Sequence, residues 1–142
     1  MKDDIILDQH HVSRYCQSKC IDNNQLQATA FLPRVTENNL SVNWLEHLEC
    51  DHREGEIIAI QKIYNAKLNV KAKERIAVIN VGDTRRKVLS ESLDNRSLLF
   101  LHDPEENDPS HSGIYNIKND DIIIAELMLS TVTQDNIYPV KS

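Results

Sequence analysis

The chain has only 3 glycines in 142 residues. Gly55, Gly82 and Gly113 lie too far apart to build a GxGxxG or Walker-type loop. Glycine-rich phosphate cradles are therefore excluded, as are collagen-like repeats and flexible glycine linkers. The turns must rest on Asn, Asp and Ser instead. Large apolar rings are also scarce, with 2 Phe and 1 Trp, so the core is expected to be mainly aliphatic. No segment reaches the roughly 18 consecutive apolar residues that a membrane helix needs. The start, Met1-Lys2-Asp3-Asp4, turns acidic at once and lacks the apolar stretch of a signal peptide. The 3 cysteines are an odd number and cannot close a disulfide framework among themselves. These absences predict a cytoplasmic protein without a membrane partner.

What is present suits one globular domain spanning residues 1–142. The apolar fraction is 40% and the charged fraction 27%, ordinary values for a folded chain. The formal net charge of -6 is unevenly spread. Lys62, Lys67, Lys71, Lys73, Arg75, Arg85, Arg86 and Lys87 crowd into one segment with only Glu74 and Asp83 against them. The flanking segments are acidic. A basic stretch in an acidic protein can meet phosphates or an acidic partner, while the acidic remainder can meet a basic one. The overall acidity argues against non-specific nucleic-acid binding, which rests on phosphate contacts.

The hydrophobic pattern predicts short strands with a few helices. Residues 26–32 and 40–44 alternate as strands do. Residues 54–67 repeat apolar positions at three- and four-residue steps and predict an amphipathic helix. Residues 75–81 are rich in β-branched side chains and predict the clearest strand, with Gly82-Asp83 ending it. Further strands are expected at 97–101, 114–117 and 137–140, and a helix from Ile122 to about Val132. Strict alternation of strand and helix is absent. The expected fold is therefore α+β, a single compact domain with a mixed, mostly antiparallel sheet of about five or six strands and two principal helices.

Two polar segments could carry chemistry. The first runs from His102 to His111 and follows an apolar strand directly. Its two Asp-Pro steps stiffen the chain. His102, Asp103, Asp108 and His111 are the candidate catalytic residues, since histidines with carboxylates exchange protons or hold divalent metals. The second is His10–Cys16. Read as a helix, it sets His10 and Arg14 on adjoining turns. His11, Arg14 and Tyr15, with Arg85 and Arg86 further on, are the candidate ligand-binding residues, because an arginine fork grips an oxyanion with two N–H groups. A third set, Cys16, Cys20, Cys50 and His52, has the right atoms for a structural zinc, although its spacing fits no standard motif. No cofactor follows from these residues.

Two functions fit this pattern. One is a small accessory or regulatory protein that binds a protein partner within a larger assembly, its acidic surface covering a basic site. The other is a small enzyme or binding domain for a phosphorylated ligand, a nucleotide or nucleic-acid end, held by side chains because glycine loops are absent. The second requires the two polar segments to converge on one pocket.

Overall fold

The computed structural model describes residues 1–141. The chain opens into strand β1 (His11–Cys16), followed by a small hairpin of β2 (Ile21–Asp22) and β3 (Gln25–Leu26). Strand β4 (Leu40–Trp44) leads to helix α1 (Arg53–Lys67), then β5 (Arg75–Asn80) runs straight into α2 (Val81–Glu91). Strands β6 (Leu99–His102) and β7 (His111–Tyr115) follow, then α3 (Ile122–Leu129) and β8 (Ile137–Pro139). Six strands form one sheet in the order β6-β7-β4-β1-β5-β8. Every neighbouring pair in it is antiparallel. The α+β expectation holds, with three α-helices rather than two principal ones.

Strand β5 shows why this sheet sits in the middle of the molecule. Ala77 and Ile79 enter one core with Val12, Val42, Phe31, Val88 and Met128. Ile76 and Val78 enter a second core with Leu45, Ile57, Ile60 and Tyr64. An uninterrupted apolar strand is what burial on both faces requires. Helix α1 thus covers one face, and α2 and α3 cover the other. No helix among the described residues is long and apolar enough to cross a membrane.

Three local expectations change. His11–Cys16 is a strand, not a helix, and pairs with β5 along its whole length. Val12 and Cys16 sit four residues apart, which suits either period, but only a strand lets Tyr15 pack on the opposite face toward Tyr64. The strand expected at 26–32 is a 3-10 turn over Ala28–Phe31. Adjacent Ala30 and Phe31 are both buried in the same core, which strand alternation does not permit. Finally, Gly82-Asp83 does not end in a turn but lies in the first turn of α2. Asn80 caps that helix, its side-chain oxygen accepting from the Asp83 N–H at 2.8 Å.

Scarce glycine leaves its mark on the backbone. The left-handed positions are Asp3, Asn23, Asn24, Glu49, Asn95 and Asn116, and no described glycine has a positive φ. The β2–β3 turn uses Asn23 and Asn24 in succession, a type I′ arrangement that asparagine tolerates. Gly82 is needed for space instead. A Cβ there would stand 2.8 Å from the Asp8 Cβ and 2.9 Å from the Asp8 carbonyl oxygen. Gly82→Ala is expected to lose roughly 1–3 kcal/mol, since relief of the overlap must move backbone. A urea midpoint equal to or above that of the parent protein would refute this.

Candidate functional site

The sheet has a split between its two central strands. β1 pairs with β5 at six successive positions but with β4 at only two, Val12↔Trp44 and Ser13↔Asn43. The His11 carbonyl accepts from Leu45 N–H on the β4 side. Backbone direction alternates along a strand, so the N–H and C=O of Tyr15 face that side too. In a continued ladder Tyr15 N–H would meet the Ser41 carbonyl. That rung is missing. Arg14 fills its place, donating Nη1–H to the Ser41 carbonyl at 2.9 Å and Nε–H to the Ala30 carbonyl at 2.7 Å.

A cavity of about 590 Å³ opens where the strands part. Ala30, Thr29, Leu32 and Cys20 line it from one layer, and Tyr64, Lys67 and Leu68 from the other. Arg14, Tyr15, Ser41, Asn43, Glu105 and His111 complete its walls, and Lys19, Arg34 and Glu37 also border it. The two polar segments therefore converge. Arg14 and Tyr15 come from one, and Glu105 and His111 from the other, because β1 and β7 flank β4.

Arg14 is the unusual group. Among the described residues no carboxylate lies within 4.0 Å of it, and protein acceptors take only two of its five N–H groups. Burial pushes its pKa below the ordinary value of 12.5, and an arginine still keeps its charge. The cleft thus holds a cation with donors to spare.

The cleft walls are set by two buried networks. Asn43 is 2% exposed. Its amide donates to Asp108 Oδ1 at 2.7 Å and to Ser110 Oγ at 2.8 Å, and its oxygen accepts from Tyr64 Oη–H at 2.9 Å. Asp108, 1% exposed, also takes Lys67 Nζ at 2.9 Å. Burial works against the Lys67 ammonium, but Asp108 and then Glu105 outweigh it, so its pKa lies above the ordinary lysine value. Burial also raises the Tyr64 phenol pKa, which keeps it a neutral donor.

Glu74 anchors the second network. It accepts from Tyr15 Oη–H, Ser18 N–H at 3.0 Å, Ser18 Oγ–H at 3.1 Å and Lys71 N–H at 3.0 Å. Burial alone would raise its pKa, yet these bonds, Tyr15 first, hold it below the ordinary 4.5. The unfolded chain then binds more protons than the folded one between the two values. This stabilisation is present above pH 4.5 and is lost as pH falls through the lower folded value. Glu74→Gln is expected to flatten the acid side of the stability profile, measured as urea midpoints from neutral into acid. A variant as acid-sensitive as the parent would show that other carboxylates carry the slope.

His111 lies on the wall with 8% exposure. Its Nδ1 stands 2.9 Å from the Asp103 carbonyl oxygen. A carbonyl only accepts, so Nδ1 carries a proton. No hydrogen bond to Nε2 occurs among the described residues. The arrangement sets an imidazole, with the Asp103 and Glu105 carboxylates 3.9 and 3.8 Å from its Nδ1, in the same cleft as Arg14.

The remaining candidates lie elsewhere. His102 is 3% exposed, its Nε2 2.7 Å from the Pro109 carbonyl, and its ring packs on Trp44 and His47. Asp103 pairs with Lys2 at 2.7 Å. Asp108 acts on the cavity through Asn43 and Lys67. Both the ring and the backbone N–H of His11 engage Glu46. Arg85 grips Asp8 with two N–H groups, and Arg86 lies near Asp8 and Asp83. Neither arginine lines the cavity. No group of three or more possible metal ligands occurs among the described residues. Cys16 and Cys20 are buried in the larger core, and burial pushes the Cys16 thiol pKa up to about 12.

Ser41, Tyr64, Lys67 and Glu105 were not singled out from the sequence. Tyr64 reads there as one more apolar position on α1, and Lys67 as a favourable charge at a helix C-terminus. Asn43 likewise reads as the polar phase of an alternating strand, and only the packing of α1 and the β6–β7 loop on that face buries it. Comparison with family models, with curated proteins and with solved structures finds no match to this chain.

Proposed function

We propose that the protein binds a small anionic ligand, a carboxylate or a phosphate, in the cleft between β1 and β4. The observation that carries this reading is Arg14, a cation on the cleft wall that has, among the described residues, three N–H groups free of acceptors and no carboxylate beside it. Arg14 is half-buried, and a partly desolvated charge is costly unless paired, so a site of this kind favours an anion that supplies the missing acceptors. Lys19 at the same cavity adds attraction for a charged ligand, while Arg34 pairs with Glu37 at 3.9 Å. His111 Nε2 would exchange a hydrogen bond or a proton with whatever Arg14 holds. The cavity volume of about 590 Å³ suits a small molecule. The other expectation, a regulatory protein acting on a protein partner, rests on composition and surface charge alone, and the cleft supports the ligand-binding reading better.

Isothermal titration of the full chain with acetate and with inorganic phosphate at low ionic strength tests the reading. Saturable binding of either, with a matching rise in thermal midpoint, is expected. No heat and no stabilisation with both anions would overturn it.

A further inference from the structure

We infer that the ligand of the cleft carries an amide next to its anionic group, as an N-acylated amino acid or a peptide carboxyl terminus does. The inference rests on the anion site just proposed and narrows its substrate class. It comes from the missing rung rather than from the charge.

Where β1 leaves β4, Tyr15 turns an open strand edge toward the cleft. The partner that its N–H would find in an unbroken sheet, the Ser41 carbonyl, is already taken by Arg14 Nη1. The Tyr15 carbonyl faces the same side and lies outside the β1–β4 register. A donor and an acceptor on one residue of an open strand match the N–H and C=O of one residue of an extended ligand, which in an N-acylated amino acid are its amide N–H and a carboxylate oxygen. Backbone polar groups are seldom left unpaired away from water, so this edge favours a ligand that completes the ladder over one that only neutralises charge.

The position of Arg14 sets the other end. Its guanidinium occupies the gap beside Tyr15, with Nη1 on the Ser41 carbonyl. An amide seated on Tyr15 would bring an adjoining carboxylate toward the unspent N–H groups of Arg14, in the two-pronged geometry that arginine favours. Acetate satisfies Arg14 but offers no donor to the Tyr15 carbonyl. The cleft has room for a side chain as well. Ala30, Leu32, Pro33 and Leu68 form its apolar lining, which suits a residue with an apolar side chain.

The test titrates the full chain with four probes, N-acetyl-L-leucine, N-acetyl-L-leucinamide, acetate and inorganic phosphate, and follows the Tyr15 amide by ¹H–¹⁵N correlation NMR. N-acetyl-L-leucine should bind about tenfold more tightly than acetate, the gain expected of one added hydrogen bond and partial burial of its side chain. It should also shift the Tyr15 amide and slow its hydrogen exchange more than acetate does. If acetate or phosphate binds but N-acetyl-L-leucine binds no tighter, the amide inference fails and the anion site stands. If the leucinamide binds as well as the acid, Arg14 is not the anchor and the inference fails. If no probe binds, the anion reading itself falls.

Discussion

Asp108→Ala should lower the stability of the protein by about 3 kcal/mol and its thermal midpoint by roughly 10 °C. Asp108 is 1% exposed and serves Lys67, Asn43 and Ser110 at once. Its removal leaves the Lys67 ammonium without its closest acceptor and strands one Asn43 N–H in the interior. Breaking a buried pair from one side costs about 3–5 kcal/mol, because the surviving group stays desolvated. Lys67 is 34% exposed and can turn toward water, which places the expectation at the lower end. The damage should also reach the cleft, since Asp108 holds the loop between β6 and β7 and Asn43 joins that loop to Tyr64 on α1. Thermal and urea denaturation of the variant measure the effect. A loss under about 1 kcal/mol would mean that water or Glu105 replaces the carboxylate without penalty.

Replacing Arg14 should have the largest effect on binding. Arg14→Gln is expected to weaken anion affinity by about 10- to 100-fold, the worth of one charged hydrogen-bonded contact. It also withdraws the guanidinium from the Ala30 and Ser41 carbonyls, so a stability loss of about 1–3 kcal/mol should accompany it. Arg14→Lys separates the two roles. It restores a charge but not the planar fork that reaches two carbonyls and still grips an anion. Recovery of only part of the affinity is therefore expected. Circular dichroism and a denaturation curve establish that each variant folds before titration. Anion affinity within twofold of the parent in the folded Arg14→Gln protein would show that Arg14 only holds the two carbonyls, and would remove the basis of the proposed site.

Much of the fold was legible because it follows local rules. The β-branched run Arg75–Asn80 and the periodic stretch Arg53–Lys67 appear where their patterns place them. The turns fall to asparagine because there is so little glycine. The errors came from ambiguous signals. Gly82-Asp83 resembles a strand-ending turn, yet Asn80 caps a helix there and Gly82 yields space to Asp8. Val12, Tyr15 and Cys16 recur at a spacing that a helix would also use, but β5 claims all three as a strand.

The site shows the same division. The convergence of Arg14, Tyr15 and His111 was foreseeable only as a condition to be met, since their meeting depends on the order β7-β4-β1. Arg85 and Arg86 resemble Arg14 in chemistry but are spent on Asp8 and Asp83.

The sequence by itself determines an α+β chain with an aliphatic core, asparagine turns and no glycine phosphate loop. Those properties depend on residue type and near-neighbour spacing. Only the tertiary structure decides that Arg14 reaches the cleft with no carboxylate beside it among the described residues, and where the sheet parts. Both depend on what faces each group across strands distant in sequence, and local periodicity carries no record of that.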